Sequence, residues 1–526
     1  MLQKNSKIYN MQGSLNKNIY RGILIISFIA VNAFILFGIS NILAFLNTGA
    51  DRSTMLHVEL KSKDVYLPKV NWTSLENPGR PIEMPTLNKI EQDYLDAWYV
   101  RNVTYKTNNP YGIEDFYTDS ARVNIFETIK LNKPNKIHID ATSISHQPKL
   151  EFYSADGQLV VFTDKEVVEY QKVFQNNNLV LTTEDTTAYK VMMLLEDGFW
   201  RIRHIEKIIP EKTKINPQIE SFVKVEKGQI IVNEKPFIIK GINYYPQASP
   251  WDMFGNSFDE SVIEKDFNII KNSNLNSIRI FVQYEDFGKA VVKPEKLEKL
   301  KKTLDLAEKV GLKVVVTLFD FYGDYSILNW TLTHRHAEQI VSAFKDHKSI
   351  IAWDIKNEPD LDFESRNKET VKGWLTQMIK EIKKFDRNHL ITIGYSSPEA
   401  ALNLIDQVDF ISYHFYKNIN HFEADYKMLK KATNKPLVIQ EFGLSSYRGL
   451  WNFYRGSDIH QANYHKKMQE NFKKESLAFM SWSLYDFNQI PTSVVGRLPW
   501  RKSQQKYFGF IDENGNKKPS FEYISY

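Results

Sequence analysis

From Lys235 onward, short apolar runs alternate with longer stretches in which apolar residues recur at helical spacing, and the pattern runs to the end of the chain. Strands are predicted at 239–244, 277–281 and 313–319, in a run ending on Glu358, at 390–393 and 410–414, in a run ending on Glu441, and at 478–483. Helical periodicity fills most of the gaps, at 263–272, 297–310, 333–347, 369–385, 421–432 and 458–475. Eight near-continuous apolar strands separated in this way predict an α/β domain over 222–526 whose parallel sheet closes into a (β/α)8 barrel. A hairpin at 223–231 and 235–239 precedes it and is expected to cover the barrel floor.

The pattern differs upstream. Ile90, Tyr94, Leu95, Trp98 and Tyr99 mark one helix, and alternating residues predict strands at 136–145, 149–153, 159–173, 179–187, 188–195 and 199–205. Asp156-Gly157 and Asp197-Gly198 supply hairpin turns. A helix followed by such a meander predicts a separate α+β domain over 88–209. It resembles the cone-shaped NTF2-like (SnoaL-like) fold, and its ending Glu196-Asp197-Gly198-Phe199-Trp200-Arg201-Ile202 is similar to the last hairpin of that fold. The resemblance implies a docking or dimerising role more than a catalytic one, so His138, Asp140 and His146 are read as surface or core residues.

Residues 1–21 are polar and carry Lys4, Lys7, Lys17 and Arg21 without an acid, whereas 22–46 holds no charge at all. A segment of that length can cross a hydrocarbon layer about 30 Å thick. Positive charge before it predicts a single-pass helix in the cytoplasmic membrane, with its amino end inside and the remainder periplasmic or extracellular. A cleaved signal peptide ending near Thr48-Gly49-Ala50 is the alternative. Pro68, Pro78, Pro81 and Pro85 in 47–87 read as an extended linker.

Charge and composition narrow the chemistry. The net charge is +5 with basic and acidic residues interspersed, which gives no footprint for nucleic acid. Cysteine is absent, which excludes disulfides and thiolate metal sites. His334 and His336 are two residues apart on a helix and point to different sides, so no metal site and no cofactor is expected. Aromatic residues make up 13% of the chain, which suits stacking against sugar faces.

Two glutamates stand out. Trp353-Asp354-Ile355-Lys356-Asn357-Glu358-Pro359 delivers an acid to the end of the fourth barrel strand, and Leu437-Val438-Ile439-Gln440-Glu441-Phe442-Gly443 delivers another to the end of the seventh. Proline restricts the residue before it to extended backbone, which makes Glu358 the last expected strand residue. The C-terminal rim is where such barrels carry catalytic groups, and retaining glycoside hydrolysis uses two carboxyl groups.

Asn357-Glu358-Pro359 and Glu441-Phe442-Gly443 resemble the motifs of clan A glycoside hydrolases, closest to the family 5 cellulase and mannanase group, over roughly 235–526. The resemblance implies Glu358 as general acid/base and Glu441 as nucleophile. It implies Arg279 as the partner that keeps Glu441 ionised, Asn357 at the sugar 2-hydroxyl, His414 and Tyr416 as a His-x-Tyr pair beside the nucleophile, and Trp482 under the scissile sugar. Tyr244, Tyr245, Trp251, Tyr322, Trp330, Trp451 and Trp500 are candidates for outer subsites. Many members carry histidine after the third strand, where this chain has Asp320, and that departure leaves the substrate open. The expected activity is hydrolysis of a β-linked glucan- or mannan-like polysaccharide by double displacement, in exopolysaccharide or envelope processing. The alternatives are a transglycosylase and a non-catalytic carbohydrate-binding subunit, with a protein partner for the cone-like domain.

Overall fold

The structure, a computed structural model, describes residues 66–208 and 223–526, with helical residues 24–25, 27–36 and 38–39. Among the described residues no helix is long and apolar enough to cross a membrane. The predicted span 22–46 lies partly outside them; its described positions are helical, with Phe28 and Phe34 exposed. The predicted tail 1–21 and the first part of the linker also fall outside the described residues.

The end of that linker is structured, contrary to expectation. Lys69–Val70 (β1) pairs in parallel with Ser145 and His146, and the Trp72 ring meets Phe162 edge-on at 5.3 Å. Pro85 opens the helix Met84–Thr107 (α1), where its fixed φ suits the first turn and its missing amide hydrogen has no partner to lose. Ile90, Tyr94, Ala97 and Trp98 of α1 are buried on one face. A further long helix, Asp119–Asn132 (α2), was not foreseen: its buried apolar stripe of Ala121, Ile125 and Ile129 is too narrow to stand out in the sequence.

Both helices accompany an antiparallel meander of β2 (Ile137–His146), β3 (Pro148–Tyr153), β4 (Leu159–Gln175), β5 (Asn178–Glu196) and β6 (Phe199–Ile208). The two strands predicted at 179–187 and 188–195 are one, β5, because nothing between Thr187 and Ala188 turns the chain. The bend needed to cover α1 comes instead from a register shift between Asp164 and Val167, where a bulge curves the ladder. His146 and Asp164, both fully buried, bond at 2.7 Å, and Ser143 and Tyr94 complete the network. Asp140 meets Lys106 at 3.2 Å and His138 stacks on Phe174.

Val223–Glu226 (β7), Gln229–Val232 (β8) and Lys235–Pro236 (β9) form the lead-in sheet. Val223, Ile230 and Val232 pack with Ile351, Leu390, Phe410 and Val438 at the entering ends of barrel strands, closing the floor. The barrel strands are Lys240–Asn243 (β10), Ser277–Gln283 (β11), Lys313–Asp320 (β12), Ile350–Asn357 (β13), Leu390–Tyr395 (β14), Ile411–Phe415 (β15), Leu437–Phe442 (β16) and Ala478–Ser481 (β17). All pair in parallel, and Lys240↔Phe479 and Ile242↔Ser481 close the ring. The closed eight-stranded parallel barrel is consistent with the predicted (β/α)8 fold.

Glu260–Asn272 (α3), Pro294–Val310 (α4), Trp330–Phe344 (α5), Lys368–Phe385 (α6), Phe422–Ala432 (α7) and Asp458–Glu475 (α8) surround it. Asp259 caps α3 through Ser261 N at 2.8 Å, as a short acid before a helical stretch should. Between β14 and β15 only the 3₁₀ turn Ala400–Leu402 intervenes.

The meander leans on α5 and α6. Tyr170 packs on Trp330 with ring centroids 4.5 Å apart, Leu67 N donates to Thr331 Oγ1 at 2.9 Å, Lys172 Nζ donates to Glu369 O at 3.3 Å, and Glu184 accepts from Gln377 and Lys380.

Candidate active site

Six of the seven predicted site residues are organised around one guanidinium. Arg279, fully buried on β11, donates from Nη1 to Glu441 Oε1 at 2.5 Å and to Asn243 Oδ1 at 3.2 Å. Its Nη2 donates to Asp354 Oδ2 at 2.7 Å and to Asn357 Oδ1 at 3.0 Å, and its Nε donates to Thr317 Oγ1 at 2.9 Å. Burial opposes the charged guanidinium, yet Asp354 and Glu441 outweigh it and raise its pKa above the ordinary value. A buried cation therefore holds Glu441 in one orientation through a charge-assisted bond.

The opposite oxygen of Glu441 is fixed separately. Tyr416 Oη donates to Oε2 at 3.0 Å, from a ring that is 45% exposed at the cleft wall but whose hydroxyl is enclosed. Burial first, then the Glu441 charge, pushes the Tyr416 pKa well up, so the hydroxyl keeps its proton and remains a donor.

His414 joins the two acids. Its Nδ1 lies 3.0 Å from Glu358 Oε1 and 3.5 Å from Glu441 Oε2. Burial works against protonation, but Glu441 and Glu358 together raise the His414 pKa. Two oxygens that flank one nitrogen at 3.0 and 3.5 Å are separated by no more than those distances laid end to end, so the acids face each other across a gap of at most about 6.5 Å.

The backbone at Glu358 departs from the sequence expectation. β13 ends at Asn357, and Glu358 is left-handed, φ 47° and ψ 53°, although a proline follows. Its amide donates to Gly394 O at 2.6 Å, which ties the strained residue to β14. Such a conformation costs roughly 1–3 kcal/mol for a residue with a side chain, and it turns the carboxyl off the strand line into the cleft.

A register shift between Asp354 and Asn357 makes the rest possible. Strict alternation would send these two residues, three apart, to opposite faces of β13; the irregularity brings both to Arg279. Close approach also explains Gly394, since a Cβ there would stand 2.4 Å from Gln440 Oε1 and 3.0 Å from Arg279 Nη2.

The cleft above these groups has a volume of about 610 Å³ and is lined by Tyr245, Trp251, Phe281, Asp320, Asn357, Glu358, Tyr416, Glu441, Trp482 and Phe508, among others. Trp482, 6% exposed, packs against Trp251 at 5.9 Å and Phe281 at 6.2 Å. Its Nε1 and His414 Nε2 are buried without protein partners. Asp320, in the position where the resemblance led to histidine, accepts from Asn357 Nδ2 at 3.3 Å and orients that amide.

All seven predicted site residues thus gather at one rim of the barrel. Of the outer-subsite candidates, Tyr245 and Trp251 line the cleft, and Trp451 and Trp500 pair at 5.7 Å beside it. Three are corrected. Tyr244 is buried with its hydroxyl on Asp266 at 2.8 Å, Tyr322 stacks on Trp374 at 5.2 Å within the core, and Trp330 is buried under Tyr170. Each satisfies its polar atom or fills its volume inside the protein. Asp354, Asn243 and Thr317 were missed; the signal for all three was a polar residue inside an otherwise apolar barrel strand.

His334 and His336 are both buried in α5, and burial lowers the pKa of each to about 4. Among the described residues no cluster of histidine and carboxylate side chains could hold a metal ion.

Residues 232–488 match the model of the cellulase family (glycosyl hydrolase family 5), just under half of the chain. The chain is similar to the β-glucuronidase of Chlorocebus aethiops, 25% identical over 320 residues, which cover 55% of this chain and 45% of that protein. It is likewise 24% identical over 323 residues to the β-glucuronidase of Homo sapiens, with the same coverage. The chain thus spans less than half the length of these curated relatives. Among solved structures, an exo-β-1,4-mannosidase from Opitutaceae bacterium strain TAV5 aligns with a TM-score of 0.46 and 19% identity, covering 55% of this chain and 58% of that one. The matched stretch runs from the lead-in sheet through all eight barrel strands and holds both glutamates.

Proposed function

We propose that the barrel hydrolyses β-glycosidic bonds by double displacement with retention of configuration. The observation that carries this reading is the convergence of Glu358 and Glu441 on one nitrogen of His414 within a walled cleft. A gap of that size suits direct attack by a carboxylate, whereas an inverting pair stands about 6.5–9.5 Å apart to admit a water.

Glu441, with Arg279 on one oxygen and Tyr416 on the other, is the nucleophile: both contacts fix the carboxylate and aim it at the anomeric carbon. Glu358, beside His414 on the opposite side of the gap, protonates the leaving oxygen. It then removes a proton from the water that resolves the glycosyl-enzyme. His414, whose pKa the two acids raise against the effect of burial, offsets repulsion between them when protonated. Asn357, oriented by Asp320 and Arg279, reaches the sugar 2-hydroxyl, and Trp482 receives the ring face.

The substrate in this reading is a β-linked polysaccharide with a glucan- or mannan-like backbone. The names of the similar proteins leave the charge of the sugar open, since cellulase denotes a neutral substrate and β-glucuronidase an acidic one. The segment 22–46 anchors the chain in the cytoplasmic membrane with the barrel outside, and the domain over 88–209, a helix on a curved antiparallel sheet of the NTF2-like kind, serves docking.

NMR of the first products tests the chemistry: retained anomeric configuration is expected, and initial inversion defeats the assignment.

A further inference from the structure

The loops that follow β16 and β17 form one wall of the cleft. Ser446 N donates to Tyr507 O at 2.9 Å, Ser445 Oγ donates to Gln504 O at 2.6 Å, Tyr447 stacks on Tyr507 at 5.8 Å, and Trp451 meets Trp500 at 5.7 Å. Asn452, Arg455, Gly456, Gln504 and Gln505 of these loops line the same cavity as the two glutamates.

The wall is charged with one sign. Residues 443–457 and 487–511 contain Arg448, Arg455, Arg497, Arg501, Lys502 and Lys506 and not one aspartate or glutamate. On the helix α4, by contrast, lysines are paired: Lys301 meets Asp305 at 2.7 Å, Lys302 meets Glu260 at 2.7 Å and Lys309 meets Glu264 at 2.5 Å. In the wall, Arg455 is exposed, and its guanidinium lies 5.9 Å from the ring of Phe453. Among the described residues the Lys502 ammonium bonds the neutral Thr492 Oγ1, at 2.8 Å, and no acid. The same rim presents exposed rings, Trp451 at 43%, Phe453 at 80% and Tyr454 at 61%.

Arg455 and Arg501, which meet no acid among the described residues, stand beside exposed rings and have two needs, an anion and a flat apolar face. A sugar bearing a carboxylate supplies both. The floor of the cleft carries Asp320, Glu358 and Glu441, which repel an anionic substrate, and a cationic wall offsets that repulsion while drawing the ligand in.

We infer that the wall built by the loops after β16 and β17 is a subsite for an anionic glycan, so that the cleft takes a β-linked polysaccharide carrying carboxylate groups, with Arg455 as its contact inside the cavity. This deepens the proposed function and rests on it for the site's identity. An anionic membrane surface is the other ligand such a rim could meet, but the wall is continuous with the catalytic cleft, which favours the substrate.

The test is equilibrium binding to the full chain carrying Glu441→Gln, which reads affinity without turnover. The probes are two β-1,4-linked oligosaccharides of equal length, one of glucose and one of glucuronate. At low salt the acidic probe is expected to bind at least about tenfold tighter, and the preference is expected to collapse in roughly 1 M salt, where charges are screened beyond about 3 Å. Adding Arg455→Gln and Arg501→Gln should remove most of the preference, whereas Lys301→Gln and Lys309→Gln, which remove as much charge from α4 outside the cleft lining, should leave it. Equal affinity for the two probes, or a preference lost equally in both charge pairs, overturns the inference. Binding of phosphatidylglycerol vesicles through Arg455 and Arg501, with no discrimination between the probes, overturns it as well. A wild-type chain that cleaves neither probe while the variant keeps its preference defeats the hydrolase reading and leaves the anionic subsite standing.

Discussion

At the scale of single residues, the site is a set of carboxylates told apart by their neighbours. Glu441 has a guanidinium and a phenol fixed to its two oxygens, and Glu358 has one imidazole and a strained backbone. Replacing Glu441 by Gln keeps the shape and removes the attacking charge, so turnover is expected to fall by about 10³ or more, a loss of at least about 4 kcal/mol of transition-state stabilisation. Glu358→Gln should do comparable damage to substrates with poor leaving groups and less to an aryl glycoside whose leaving group needs no proton. Unchanged hydrolysis in either variant, read by reducing-end release, would place the chemistry elsewhere. Gly394→Ala touches no substrate but sets a methyl against Gln440 and Arg279. About 1–3 kcal/mol of lost stability is expected from overpacking, with a fall in kcat that exceeds the change in KM as Glu441 loses its orientation. Denaturant titration and steady-state kinetics on the same variant separate the two effects.

At the scale of elements, the strand ends decide which side chains meet. Alternation along β13 assigns Asp354 and Asn357 to opposite faces, and only the register shift unites them. The contact between the meander and the barrel can be ranked by the same physics. Tyr170 is buried on Trp330, so Tyr170→Ala removes a large ring from a packed site and should cost about 3–5 kcal/mol. Glu184 pairs with Lys380 at the partly exposed edge, so Glu184→Ala should cost no more than about 1 kcal/mol, since water already screens that pair. Hydrogen exchange in β4 and α5 reports both, with faster exchange in the tyrosine variant and little change in the glutamate variant.

At the scale of the whole molecule, buried histidines set the response to acid. Burial lowers His334 and His336 to about 4 and His465 to about 3. The folded chain keeps them neutral while the unfolded chain protonates them near the ordinary value, so their contribution is complete above about pH 6.5 and is lost as pH falls towards 4. Each contributes at most about 1.4 kcal/mol of slope per pH unit in that window. His414 has the opposite sign: its raised pKa stabilises the fold at low pH, and that stabilisation is lost as pH rises through the folded value. Urea midpoints measured between pH 7 and pH 5 should therefore fall with acidity. Replacing His334 by Gln should flatten the slope, and a slope unchanged in that variant would show that His334 does not drive it.

The sequence alone determined the order of strands and helices in the barrel and the place of the two glutamates at strand ends, because strand periodicity and the punctuation of Asn-Glu-Pro and Glu-Phe-Gly are local properties of the chain; the residues around them came from the family resemblance. Tertiary structure decided what periodicity cannot express. Asp354, Asn243 and Thr317 join Arg279 only because strands far apart in sequence lie side by side in a closed ring. Glu358 is left-handed because the hydrogen bond its amide donates to Gly394 O holds it there against the preference of its own dipeptide. Tyr244, Tyr322 and Trp330 went to the core because an aromatic side chain looks the same in sequence whether it meets a sugar or another ring, and only packing distinguishes the two.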